Sequence, residues 1–358
     1  MLKPMLNLDD ISRQVLHNCD ISDAYHAGMF SICGLALRLR DLYKWEKGLP
    51  AWEESDSAKV LEWIEAKENK WEDYPEDGFI KLTINGEKFD PFDTIGINTI
   101  LEPHQVFYGA GYARSLKPTF FLTEVTEKTN YNGNIVYTLG RELARDLLTI
   151  PALTQDDCVI LRQESATLFL WDSIFYIKKS ARPALKFALD SCGLKNQEPK
   201  ALQPHLTKIL AVLKDNYIYH EIGELHDTDF DRKIWREVIA AFPYSPVEYL
   251  ARAVKDLLAD TNRFGTLQHI IRERKTASLA FYAAFLDGLA KEFFPELLTS
   301  FQEYTQTGDW KAIDQAVASG HKTAKQHAAL ITDLYQEGVR INDNKWAETE
   351  IQKQLLGN

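Results

Sequence analysis

The sequence predicts a mainly α protein, a helical bundle with a small antiparallel β module inserted near its N-terminal third. Three observations lead there. Apolar residues recur at helical spacing over most of the chain, one region alternates with period two, and two Asn-Gly dipeptides fall inside that region. The resulting partition is residues 1–77 as the N-terminal helices of the bundle, 78–139 as the β module, and 140–358 as a C-terminal helical region packing with the N-terminal helices.

In the first segment, residues 20–44 read as one long buried helix. Ile21, Tyr25, Met29, Ile32, Ala36, Leu39 and Tyr43 form one stripe, and His26, Phe30, Cys33 and Leu37 form another beside it. A helix apolar over so much of its girth belongs in the middle of a bundle. Gly48 and Pro50 end it, and a second helix starts from Ser57 as N-cap and runs to about Trp71. The character then changes. Phe79-Ile80-Lys81-Leu82-Thr83-Ile84 alternates and is followed by Asn85-Gly86. Thr119-Phe120-Phe121-Leu122-Thr123-Glu124-Val125 is answered across Asn132-Gly133 by Asn134-Ile135-Val136-Tyr137-Thr138-Leu139. Asn-Gly is a strong hairpin signal because both residues tolerate positive φ.

From Arg141 onward helical spacing dominates. Ser245-Pro246-Val247-Glu248 combines a Ser cap, Pro at the first helical position and Glu three residues after the cap, and Val247, Leu250, Ala251, Val254, Leu257 and Leu258 keep the stripe beyond it. Thr266 opens another long helix, expected to continue through Phe281 and Leu289 to Phe293 and to end near Pro295. The polar stretch after Asn342 reads as a loosely attached helix.

Phe107-Tyr108-Gly109-Ala110-Gly111-Tyr112, Lys117-Pro118-Thr119-Phe120-Phe121-Leu122, Glu142-Leu143-Ala144-Arg145-Asp146-Leu147 and Asp256-Leu257-Leu258-Ala259-Asp260-Thr261 give the chain a further character. Through these segments it resembles an uncharacterised family of bacterial cytosolic proteins over most of its length. The resemblance carries no activity and no functional residues with it.

Composition narrows the function classes. A formal net charge of −11 argues against a general nucleic-acid binder or an anionic-membrane binder, both of which want basic surface. The N-terminal residues meet acids at once and do not read as a signal peptide, and no run approaches the ~20 apolar residues that span a bilayer. Cys19, Cys33, Cys158 and Cys192 are dispersed, without CxxC or zinc-ligand spacing, and read as reduced, mostly buried thiols. The expectation is a cytoplasmic protein whose partner is a protein or a small molecule.

The candidate site is Tyr219-His220-Glu221-Ile222-Gly223-Glu224-Leu225-His226. It closes a stripe formed by Leu206, Ile209, Leu210, Leu213 and Tyr217. At about 100° per residue, His220 and Glu224 fall on the same face, with Glu221 at its flank. Burying unpaired ionisable groups is costly, so these should be paired, hydrogen-bonded or bound to a metal. His220, Glu221 and Glu224, with His26 from another helix, form the candidate ligand set for a divalent ion such as zinc, iron or manganese. The competing reading is a buried polar network in a non-enzymatic interaction or structural protein whose β module offers an edge to a partner. The set matches neither HExxH nor the ExxH of di-iron bundles. Gly109-Ala110-Gly111 lacks the context of a phosphate loop and is expected to be a tight loop before an edge strand. His269, with Arg272 and Glu273, is expected on a solvated helix face.

Overall fold

Both Asn-Gly dipeptides sit where two strands turn back. Asn85 and Gly86 have φ of 52° and 83°, and Asn132 and Gly133 have φ of 51° and 94°, the left-handed pairing that a two-residue hairpin requires. The computed structural model describes residues 6–53, 55–74, 78–196 and 198–357. The chain divides into two compact units, Met1–Trp171 and Asp172–Asn358.

The N-terminal unit runs α1 (Leu8–His26), α2 (Ile32–Glu46), α3 (Ser57–Glu72), β1 (Leu82–Ile84), β2 (Glu87–Phe89), α4 (Thr94–Leu101), β3 (Val106–Tyr112), β4 (Pro118–Tyr131), β5 (Asn134–Arg145), β6 (Ala152–Gln155) and β7 (Cys158–Arg162). The next helix, α5 (Gln163–Phe175), contains the boundary. Strands β1 and β2 form the small hairpin, while the other five make a sheet in the order β3-β4-β5-β7-β6. Its β5–β7 pair is parallel and its other pairs are antiparallel. Helix α1 covers one face, packing Ile11, Val15 and Cys19 with Tyr108, Phe120, Leu122 and Ala144. Phe107, Phe121, Leu139 and Ile160 form a separate apolar cluster of the sheet.

The β region is therefore larger than the module expected at 78–139. Strands continue to Arg162, because β7 adds to β5 in parallel and β6 pairs with β7. Such short strands leave almost no periodicity to read, and a parallel pairing has no hairpin signal in the sequence. Gly109-Ala110-Gly111 is not a loop but part of the edge strand β3. Gly109 pairs with Phe121, whose ring occupies the space a Cβ would need.

The helix expected at 20–44 is two helices. A 3₁₀ turn at Ala27–Met29 and extended backbone at Phe30 end the first, and Ser31 caps the second by accepting from the Gly34 amide at 3.1 Å. The stripes read as two sides of one buried helix belong partly to two helices, and Ile32 at the start of α2 is 91% exposed. Among the four free cysteines, Cys19 and Cys192 are buried and Cys33 is exposed.

The C-terminal unit continues with α6 (Arg182–Ser191), α7 (Pro199–Leu202), α8 (Leu206–His226), α9 (Arg232–Ala241), α10 (Pro246–Thr261), α11 (Thr266–Arg272), α12 (Thr276–Phe285), α13 (Gly288–Phe293), α14 (Pro295–Thr307), α15 (Trp310–Ile341) and α16 (Asn344–Leu356). Ser245 caps α10 by accepting from the Glu248 amide, and the Glu248 carboxylate accepts from the Tyr244 amide at 3.0 Å. All six stripe residues from Val247 to Leu258 are buried. The long helix expected from Thr266 is three helices, broken where Arg274 takes φ of 53° and where Gly288 takes φ of 56°. The tail does form a helix, α16, and it buries Ala347 and Ile351. No helix among the described residues is long and apolar enough to cross a membrane.

Candidate functional site

The facing turns of α8 and α10 bring the site together, and glycine makes their approach close enough. A Cβ on Gly223 of α8 would overlap the carbonyl oxygen of Ala259 on α10, and one on Gly265 would meet the same atom. Asn262 locks the contact by donating Nδ2–H to the Gly223 carbonyl at 2.9 Å. Gly223 is thus a point of tight helix packing within an unbroken α8, rather than a place where the helix loosens.

This approach sets His220 against α10. Its Nδ1 lies 2.9 Å from Asp260 Oδ1, and Tyr282 on α12 donates its hydroxyl to Asp260 Oδ2 at 2.8 Å. The other ring nitrogen, Nε2, faces the Asp256 carboxylate at 4.0 Å. One turn along α8, Glu224 pairs with Lys255, whose ammonium also stands 3.9 Å from the centre of the Trp235 ring. Between His220 and Glu224 in the helix lies Glu221, which is buried.

Burial differs from the expected ranking. His220 retains 28% and Glu224 25% of side-chain exposure, whereas Glu221, expected at the flank, is the buried member. Helix α8 buries Ile218, Tyr219, Glu221 and Ile222, so its inward face near its C-terminal end is turned from the stripe of its first half.

The electrostatics follow from this placement. Burial opposes charge on His220, but Asp260, Glu221 and Asp256 outweigh it and hold the imidazolium well above its ordinary pKa. Burial pushes the Glu221 carboxyl up to about 8, and the charge of Glu224 adds to the effect. Burial also raises Glu224, but Lys255 more than reverses it and holds that carboxylate below its usual range. Asp256, whose side chain is more than half exposed, faces the charges of His220, Glu224 and Asp260. At neutral pH the cluster therefore holds protons on an imidazole and on a carboxyl group.

Of the candidate ligands, His220, Glu221 and Glu224 share this cluster. His26 belongs to the N-terminal unit, at the end of α1, where its Nδ1–H donates to the Ser22 carbonyl at 3.0 Å. Among the described residues, no group of three or more His, Cys, Asp or Glu side chains is arranged to hold a metal ion. His269 is not on a solvated face: it is buried, stacks on Tyr219 with ring centres 3.7 Å apart, and faces Asp215 at 3.5 Å.

Sequence reasoning missed Asp256, Asp260, Lys255 and Tyr282 as members of the site. One signal was available. Asp256 and Asp260 are one turn apart on a helix whose apolar stripe includes Leu257, which places both acids at the border of the buried face.

Comparison with known protein families gives two matches. Residues 10–162 match the model described as the N-terminal domain of a family of unknown function (DUF6866), and residues 167–355 match the model for its C-terminal domain. No curated protein and no solved structure matches the chain.

Proposed function

The chain belongs to the DUF6866 family of unknown function, and from the geometry of its C-terminal unit we propose that the His220 cluster is an acid–base centre. The observation that carries this reading is the hydrogen-bonded series Tyr282–Asp260–His220. Asp260 accepts from Nδ1–H, which fixes the tautomer and the ring plane, and the Tyr282 hydroxyl holds Asp260 in turn. Nε2 is left as the ring nitrogen available to a bound molecule, beside Asp256. With its pKa held high, His220 acts as a proton donor from Nε2 near neutral pH, and Asp256 stands where it can return the proton. A small molecule that gains negative charge as it reacts suits such a donor.

The test is a pH titration of the histidine side chains by NMR in wild type and in Asp260→Asn. His220 should titrate above the ordinary value of about 6.5, and the substitution should bring it down by roughly one unit or more. A His220 that titrates at or below the ordinary value in wild type defeats the reading.

A divalent cation is the second reading, favoured by a separate observation. Glu221, Glu224, Asp256 and Asp260 face His220 and Lys255, with Arg232 also acting on Glu224. A histidine anchored through Nδ1 to a carboxylate is also the usual preparation of a metal ligand at Nε2. Binding would draw in Glu221 and Asp256 and displace the protons held on Glu221 and on His220 Nε2. So many oxygen donors shift the expected preference from zinc or iron toward manganese or magnesium. Elemental analysis of untagged protein, with manganese titrated against wild type and Glu221→Gln, separates the readings. A stoichiometric metal or a saturable stabilisation lost in the variant supports the cation, and neither result leaves only the acid–base centre.

A further inference from the structure

A cavity of about 460 Å³ opens in the N-terminal unit, with Asp20, Lys67, Lys70, Glu142 and Arg145 in its lining. Its volume is in the range of small-molecule sites. Two charge groups meet it. Asp20 lies between Lys67 and Lys70, each at 2.5 Å. Glu142 lies between Arg145, at 3.3 Å, and Arg162, at 2.9 Å. Each of these two carboxylates therefore pairs with two cations, while Glu46 and Glu164 add acids to the wall and Arg141 adds a further base.

Arg145 is what distinguishes this cavity from an ordinary polar cleft. Its side chain is fully buried, and its Nε–H donates to the Asp146 carbonyl at 3.1 Å. Neither Nη1 nor Nη2 makes a hydrogen bond, and Glu142 Oε2 beside them accepts none. A guanidinium carries five N–H donors in a planar fork suited to an oxyanion. Leaving two of its nitrogens without a hydrogen bond inside a protein is costly unless a ligand completes them. The other charges along the wall do not fill that role. Arg141 pairs outward with Glu124, and Glu46 pairs with Lys47. Glu164 accepts from the Glu142 amide at 2.9 Å, and no hydrogen bond joins it to either Nη of Arg145.

We propose that this cavity binds a small molecule through an oxyanion, a phosphate or a carboxylate, with Arg145 as the inner anchor and Lys67 and Lys70 as the outer one. Arg145 supplies geometry through its fork, whereas the two lysines supply charge that can turn from Asp20 to the ligand. Lys70 is more than half exposed and Lys67 is not, so Lys70 stands on the entry side.

The experiment measures thermal stabilisation of the full-length protein by inorganic phosphate and, separately, by succinate, each against potassium chloride at matched ionic strength. Wild type should show a saturable rise in melting temperature with at least one of the two anions. Phosphate alone identifies a phosphoryl ligand and succinate alone identifies a carboxylate ligand. Lys70→Gln, a change at an exposed position, should weaken the apparent affinity by roughly tenfold. Arg145→Gln should abolish the effect. Because Arg145 is buried and that variant can fail to fold, Lys67→Gln with Lys70→Gln serves as the second test and should lose at least as much affinity as Lys70→Gln alone. No saturable effect of either anion beyond chloride overturns the proposal, as does wild-type affinity in the double variant.

Discussion

The two units each hold a partly buried charge cluster, and the clusters differ in which charge is shared among more partners. In the N-terminal unit, Asp20 and Glu142 each pair with two cations. In the C-terminal unit, four carboxylates surround His220 and Lys255. The first keeps guanidinium nitrogens without hydrogen-bond partners, and the second keeps protons on groups that would otherwise be charged or neutral the other way. Burial penalises net charge of either sign, but the remedies differ. An arginine cannot give up its proton in a protein, so an excess of arginine is relieved by an anion. A carboxyl can take up a proton, so an excess of acid is relieved by protonation or by a cation. The sign of the excess therefore decides which remedy each cluster needs.

A third cluster sharpens this contrast because its one cation and two carboxylates are all hydrogen-bonded within the fold. Lys117 is fully buried between Asp23 at 2.9 Å and Asp146 at 3.2 Å. Those carboxylates also accept from the backbone amides of Leu147 and Leu148. Burial pushes Asp23 up to about 7, while Lys117 and the Leu148 amide hold Asp146 low. Such a saturated network is expected to act on stability. Lys117→Met should cost about 3–5 kcal/mol, because it leaves two carboxyls buried without their cation. Lys255→Met should cost less than half as much, since Glu224 keeps some contact with water. Urea unfolding of the two variants checks the order, and equal losses would erase the distinction.

Gly223→Ala comes next in size. The new methyl would press on the Ala259 carbonyl, so the loss should be about 1–3 kcal/mol despite the better helix propensity of alanine. Thermal unfolding reads it, and a stabilised variant would mean that the close approach of α8 and α10 is not required.

The pH dependence separates the acidic cluster from the rest. Glu221 binds its proton more tightly folded than unfolded, so its contribution is present below its ordinary pKa of about 4.5. That contribution is lost as pH rises toward about 8. His220 has the same sign, with its loss displaced above its ordinary value. Asp23 also shares the sign, which makes the difference between wild type and Glu221→Gln the informative quantity. The variant should be flatter between pH 5 and 8, and it should gain about 1 kcal/mol or more on wild type at pH 9. Urea midpoints at pH 5, 7 and 9 measure this, and parallel curves would contradict it.

The smallest effect is expected at Ile32. Although it stands in an apolar stripe of the sequence, it is 91% exposed, and Ile32→Ala should change stability by no more than about 0.5 kcal/mol. A loss of several kcal/mol in denaturant titrations would restore the single buried helix expected over residues 20–44.

Local chemistry made part of this molecule legible in its sequence. The two Asn-Gly hairpins, the Ser245 cap, the buried stripe of α10 and the position of the ionisable segment in α8 all depend on residues within a turn of one another. Such interactions write their spacing into the chain. Tertiary structure alone decided the partners. His220 meets an aspartate 40 residues away, and that aspartate meets a tyrosine another 22 residues on. The parallel addition of β7 to β5, the exposure of Ile32 and the open guanidinium of Arg145 are of the same kind. A helical stripe says which side of a segment is apolar, but not which segment will face it. The charge balance of a buried site is set by every group that packing brings within a few ångströms, and so it is decided only when the chain has folded.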